Sequence, residues 1–145
     1  MCNVAHEGGT LIPETGRAWK IFQPVYSDTK GVEYRGLMGF SSRFFSFGGY
    51  EEDLDGWINW KQPLALLPGV QNQGFCCFMR RDDAKDALIR WVRETSCTHS
   101  RHEVVEIEYT GGMQEHWDDD MFSSHPVLIA LVRRFRRYAK PGGEG

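Results

Sequence analysis

Hydrophobic and polar positions change their period twice in the second half of the chain. Residues 75–79 are apolar on both faces of an extended backbone, a pattern typical of a central strand that is covered on both sides. From Asp82 to Thr95 apolar residues recur at helical spacing, with acids near the start and arginines towards the end, where the helix dipole favours each charge. Residues 104–109 alternate again. The pattern predicts a buried strand, a helix over about 82–95 that Asp82 caps, and a half-exposed strand that ends at Gly111-Gly112.

The first half of the chain predicts shorter extended segments. Gly16 to Phe22 alternates, with Ala18, Lys20 and Phe22 on one side, and Pro24 is expected to end this strand. A cluster of turn residues at 27–31 leads into a second strand, so the two strands are expected to form a hairpin. Residues 57–61 predict another short strand or extended segment.

The last regular segment, 126–138, has two interpretations. As a helix it has Pro126 at its first position and an apolar stripe with arginines on the opposite side. As a strand it alternates poorly, because Arg133 and Phe135 would share a face. The local pattern therefore favours a helix, and a strand remains the alternative.

These elements predict one α+β domain over residues 1–140, followed by a frayed tail at 141–145. We expect a twisted, mainly antiparallel sheet with at least one packed helix (about 82–95) and a second C-terminal helix or strand (about 126–138). The strand–helix–strand order of 75–109 forms a βα unit. The sequence leaves open whether its two strands are neighbours.

Composition and charge exclude several classes of protein. The 145 residues carry a formal net charge of −3, which gives no general attraction to nucleic acid or to an anionic membrane. No run approaches the ~18 apolar residues of a membrane span, and no signal peptide is visible. We expect a cytoplasmic protein with reduced cysteines. Cys76 and Cys77 cannot pair with each other in a strand, because adjacent side chains point to opposite faces.

The candidate binding residues lie in an aromatic, glycine-rich segment at 40–56 and in charged runs. Acid collects at 51–55 and 118–120, and arginines collect at 133–137. Arginine suits bidentate contacts with carboxylate or phosphate, and aromatic rings stack on bases. The alternative is that the rings cover the edge of the core and the charges are solvated. The predicted binding residues are Phe44, Phe45, Tyr50, Asp118, Asp119, Asp120, Arg133, Arg134, Arg136 and Arg137.

The sequence signals for catalysis and metal binding are weaker than those for partner binding, and no residue is predicted to be catalytic. The segment from Glu115 to Asp120 has the acids and histidine that bind metals, but its spacing matches no compact motif, which favours a solvated loop. Cys97 lies close to His99 and other basic residues, a setting that would suit a reactive thiol. Glu106 and Glu108 would share one strand face about 6–7 Å apart, a separation compatible with paired-carboxylate catalysis and also common on exposed strands. No cofactor is predicted.

Three short segments resemble small uncharacterised proteins of phages and mobile elements. They are the strand at 16–22, the motif G-F-x-x-F at 74–78 before an alanine-bearing helix, and V-V-x-x-x-Y at 104–109. The resemblance implies a final strand over Ile129 to Phe135, against the local helical pattern. It also implies a phage context in the cytoplasm of a host cell, where such proteins bind host machinery, including as anti-CRISPR and other anti-defence inhibitors.

The leading hypothesis is a phage-type interaction protein that inhibits a host defence complex by non-enzymatic binding. Its partner would be a host protein or nucleoprotein complex, with nucleic acid or nucleotide contact through Arg133 to Arg137 and no membrane contact. One alternative is a protein that binds and sequesters a small ligand or nucleotide. The other is a small hydrolase or metal-dependent enzyme.

Overall fold

The computed structural model describes residues 5, 7–27, 31–36, 50–52, 54–60, 74–95, 102–118 and 126–138. They form one helix and eight strands. In chain order these are β1 (Thr10–Leu11), β2 (Thr15–Ser27), β3 (Gly31–Gly36), β4 (Tyr50–Glu52), β5 (Ile58–Trp60), β6 (Phe75–Cys77), α1 (Arg81–Thr95), β7 (Glu103–Asp118) and β8 (Val127–Arg137). The protein has the predicted α+β fold, a mainly antiparallel sheet with one packed helix.

The strands form one sheet in the order β3-β2-β7-β8-β5-β4, with β1 beside β7 and β6 beside β8. Both β6 and β7 run antiparallel to β8, on its two opposite edges. They are therefore parallel to each other, and the predicted strand–helix–strand unit is a crossover with β8 inserted between its two strands.

The sheet curls until it meets itself. Trp19 in β2 and Phe78, just after β6, exchange two backbone hydrogen bonds of 2.8 Å. As a result β2, β7, β8 and β6 form a closed ring in which each strand pairs with the next. One set of side chains lies inside this ring and another lies on its outer surface.

Among the described residues the core consists of two buried clusters, one under α1 and one inside the ring. The helix-side cluster comprises Ile21, Cys76, Phe78, Ala84, Ala87, Val127, Ile129 and Leu131. The inner cluster comprises Ala18, Phe22, Phe75, Cys77, Ile107, Tyr109, Ala130, Val132 and Phe135. Cys76 and Cys77 thus lie on opposite faces, as the alternation in a strand predicts.

The local helical pattern at 126–138 was misleading, and the strand alternative is confirmed by β8. This strand pairs with β7 along one edge and with β6 and β5 along the other. A strand in this position is covered on both faces, so residues 127–132 are apolar on both. Helical periodicity is hard to tell from such a continuous apolar run.

The predicted end of β7 was also wrong. The strand continues through Gly111 and Gly112 to Asp118, with Gly111 at φ +68° and a register shift between Gly112 and Gln114. A bulge lets a strand bend and twist without ending. Glu115 to Asp118 therefore belong to a paired strand rather than to the predicted solvated loop.

Smaller boundaries differ as well. The β2–β3 hairpin is confirmed, but β2 continues past Pro24 to Ser27. The described pairing of β2 with β7 ends at Phe22, so the missing N–H of Pro24 costs no hydrogen bond on that edge. The helix begins at Arg81, which places Asp82 in its first turn instead of at its cap.

Within the described ranges, no helix has the length and apolar character that a bilayer crossing requires.

Candidate functional site

A ladder of charged side chains crosses the outer side of three strands. In the register Arg17 of β2 lies opposite Glu108 of β7, and Glu108 lies opposite Arg136 of β8. The Arg136 Nε donates a hydrogen bond to the Glu108 carboxylate, and the Arg17 guanidinium lies 3.6 Å from the carboxylate of Glu106. Both carboxylates considered for paired catalysis are thus engaged with arginines.

Trp57, which directly precedes β5, joins this ladder. The guanidinium carbons of Arg134 and Arg136 lie 4.3 Å and 4.4 Å from the centroid of its ring. Residues two apart on a strand share a face, and the pairing of β5 with β8 brings the indole to that face. Arg17 also lies over the ring of Tyr138, at 4.8 Å.

We call this set the arginine–tryptophan face: Arg17, Trp57, Glu106, Glu108, Arg134, Arg136 and Tyr138. Its arginines are fixed by carboxylates and by rings, so ordering them on binding costs less side-chain entropy than ordering free arginines. Guanidinium groups suit carboxylate and phosphate partners because they donate two parallel hydrogen bonds. The chemistry of the face is therefore suited to contacts with carboxylate or phosphate groups.

The other predicted binding residues are distributed more widely. Arg137 is exposed, whereas Arg133 is half-buried beside Gly111, and burial lowers the pKa of its guanidinium. Asp118 is only 1% exposed at the end of β7, and Tyr50 lies opposite Trp60 in the register of β4 and β5. Phe44, Phe45, Asp119 and Asp120 lie outside the described residues. The binding roles of all these residues stay predictions.

A buried lysine is a polar feature that the sequence pattern indicates only indirectly. Lys20 is 1% exposed, and its Nζ donates a 2.8 Å hydrogen bond to the Cys76 carbonyl. The same Nζ lies 6.0 Å and 5.6 Å from the ring centroids of Phe22 and Phe135. The alternation of β2 had already placed Lys20 on the same side as Ala18 and Phe22. Only the closure of the ring turns that side into the inner core.

Cys77 also lies in the inner core. Burial raises the pKa of its thiol to about 12, although the charge of Lys20 acts in the opposite direction. The nucleophile in cysteine chemistry is the thiolate, so a thiol with this pKa is inert at neutral pH. The burial predicted for the Cys76–Cys77 pair is confirmed, and neither position fits a catalytic thiol.

The raised pKa predicts a loss of stability in alkali. The cysteine thiol ionises near pH 8.5 in the unfolded chain, whereas the pKa of the folded Cys77 thiol is about 12. The contribution of this thiol to the free energy of unfolding is therefore fully present below about pH 8.5 and is lost as the pH rises towards 12. We expect the free energy of unfolding, measured in urea, to fall more steeply between pH 9 and 11 in the wild type than in Cys77→Ala. Parallel slopes for the two proteins would contradict this assignment.

A cavity of about 400 Å³ lies at the edge of β7. β1 pairs with β7 only at Thr10 and Leu11, and the preceding chain turns at Gly8, where φ is +82°. The edge of β7 beyond Glu115 is therefore bordered by this turn. The cavity is lined by Glu7, Gly8, Thr10, Glu115, His116, Trp117 and Leu128.

An ion-pair chain holds one wall of this cavity. Arg80, just before α1, lies 2.5 Å from the Glu115 carboxylate and 2.8 Å from that of Asp83. The contact ties the start of the helix to β7. It also fixes Glu115, whose side chain is only 15% exposed.

The metal and thiol hypotheses receive no support from the described part of the chain. No three His, Cys, Asp or Glu side chains there come together as a metal site requires. Cys97, His99 and His125 lie outside the described residues.

No family model matches the chain, and neither a curated protein nor a solved structure matches it.

Proposed function

We propose that this protein is a small interaction protein that binds a host protein or nucleoprotein complex through the arginine–tryptophan face and inhibits it without catalysis. The observation that carries the proposal is the pair Arg134 and Arg136, whose guanidinium groups both lie within 4.4 Å of the Trp57 ring centroid. Interfaces are enriched in tryptophan and arginine, and such residues carry much of the binding energy.

The position of the face within the fold supports this role. It spans β2, β7 and β8, where β7 pairs with both β2 and β8 over long registers, so the arginines lie on extensively paired strands. Binding groups on strands are held more precisely than groups on loops. The phage context and the anti-defence role, including anti-CRISPR activity, are proposed on the resemblance of the strand and helix motifs.

The proposal predicts that Arg134→Gln/Arg136→Gln loses its partner. We would immobilise the wild type and this variant and capture proteins from a host-cell lysate, with and without nuclease. The wild type should retain a stoichiometric partner, and the double variant should retain it at least roughly ten-fold less tightly, because paired charges at an interface contribute strongly to affinity. Dependence on nuclease treatment would identify a nucleoprotein.

A matched control removes the same charge elsewhere. Arg81→Gln/Arg93→Gln changes two exposed arginines of α1 and leaves the sheet untouched, so it should capture the partner like the wild type. Equal capture by both double variants, or no stoichiometric partner for the wild type, would rule out binding through this face.

A further inference from the structure

The cavity at the edge of β7 has the composition of a site for a positively charged group. Trp117 is 65% exposed, although it lines the cavity and sits on a strand of the central sheet. Its ring makes no ring contact with any other described residue. The indole is therefore an accessible aromatic group in the wall of the cavity.

Two carboxylates line the same cavity as the indole. The first is Glu115, which lies on the same face of β7 as Trp117 because residues two apart on a strand share a face. Glu7, on the turn before β1, also lines the cavity, and within the described ranges it takes part in no ion pair. Arg80 neutralises Glu115 in part, and Asp83 offsets Arg80 in turn. The formal charge of these four groups is −2.

An aromatic face combined with an excess of carboxylate selects cations over anions. The negative face of an indole attracts ammonium and guanidinium groups, more strongly when they are partly desolvated. Nearby carboxylates add attraction for a cation and repel a phosphate or a carboxylate. The volume of about 400 Å³ is within the range of small-ligand sites and exceeds what one amino-acid side chain fills.

We propose that this cavity binds a guanidinium or alkylammonium group, with the cation over the Trp117 ring and its N–H donors directed at the Glu7 and Glu115 carboxylates. The ligand is a free small cation or an arginine side chain of a partner, and the chemistry is the same for both sources. The site is separate from the arginine–tryptophan face, because it uses other residues and attracts the opposite charge. Its failure would leave the proposed function intact.

The test is a titration followed by NMR. The probes are L-arginine amide, a capped Gly-Gly-Arg-Gly-Gly peptide, and the same peptide with citrulline, which is isosteric with arginine and neutral. We expect both arginine probes to shift the Trp117 indole N–H and the backbone amides of 7–10 and 115–117 in a saturable way. The citrulline peptide should bind roughly ten-fold or more weakly, since it loses both the cation–π and the carboxylate attraction.

Variants of Trp117 and Glu7 test whether the arginine probes bind in this cavity. Trp117→Leu should lower the affinity for the arginine peptide by roughly two- to five-fold. Trp117→Phe keeps an aromatic face and should lower this affinity less. Glu7→Gln should weaken it by a similar factor of roughly two to five. Glu103→Gln removes an exposed acid at the far end of β7 and should bind like the wild type. Trp117 and Glu7 are exposed, so their variants are expected to fold, which thermal unfolding would verify.

The probes also separate the two sources of the cation. Tighter binding of the peptide than of arginine amide identifies a partner's arginine side chain, and equal or weaker binding of the peptide identifies a free cation. The proposal is overturned if neither arginine probe gives saturable shifts up to about 10 mM, a limit that corresponds to negligible affinity. It is also overturned if citrulline binds as well as arginine, or if neither Trp117→Leu nor Glu7→Gln changes the affinity.

Discussion

Replacing Phe135 with alanine is expected to lower the free energy of unfolding by about 3–5 kcal/mol. Phe135 is 2% exposed in the inner cluster, and its ring meets that of Phe75 edge-on, with 4.9 Å between centroids. Phe75 in turn meets Trp60 edge-on at 5.1 Å, and Phe22 lies 6.2 Å from Phe135. Alanine would leave a large cavity in the middle of this aromatic chain. Small domains have only about 5–15 kcal/mol of stability in total, so the variant should lose a large fraction of it.

Urea denaturation followed by circular dichroism would measure this effect. Phe135→Leu keeps most of the apolar volume and should cost less than about 1.5 kcal/mol. Ile89→Ala removes an exposed apolar side chain from α1 and should change stability by no more than about 0.5 kcal/mol. A Phe135→Ala variant no less stable than Phe135→Leu would show that the ring does not hold the inner cluster together.

Gly112→Ala should destabilise the protein by roughly 3 kcal/mol, at the upper end of overpacking substitutions. A Cβ at this position would overlap the carbonyl oxygen of Pro13 and approach Cε1 of Tyr109 to 2.8 Å. The neighbouring contacts leave little room to move. The Gly112 N–H donates to the carbonyl of Glu14 at 3.0 Å, and the hydroxyl of Tyr109 donates to the Pro13 carbonyl at 3.1 Å.

Gly8→Ala is the matched control for this glycine. Gly8 has a positive φ of +82° but open space where a Cβ would be, so alanine there should cost only the backbone strain of about 1–2 kcal/mol. A smaller loss of stability for Gly112→Ala than for Gly8→Ala, by urea denaturation, would mean that the chain segment at Pro13 shifts easily. That result would contradict tight packing between the N-terminal segment and β7.

The helix and the buried strand before it were predictable because their signals are local. Residues 81–95 have helical spacing and suitable end charges, and residues 75–77 are apolar on both faces, which α1 and the inner cluster then cover. The C-terminal strand was not decided locally. Its apolar run fits both a helix and a doubly covered strand, and only its position between β7 and β6 selects the strand.

The candidate sites show the same division. The basic run at 133–137 and the acids of β7 were visible in the sequence, but Trp57 comes from a distant segment and reaches Arg134 and Arg136 only through the pairing of β5 with β8. Glu115 and Trp117 belong to the candidate metal segment that the sequence indicates. Glu7, more than a hundred positions away, shares their cavity because β1 pairs with β7.

The sequence by itself determined the fold class, the helix, the hairpin and the burial of Cys76 and Cys77, because these depend on periods of two and 3.6 residues along a few neighbouring positions. Only the tertiary structure decided the extent of β7, the strand at the C-terminus, the burial of Lys20 and the composition of both candidate sites. Each of these depends on strand register between distant segments, and a local pattern does not specify which strand a given edge will meet.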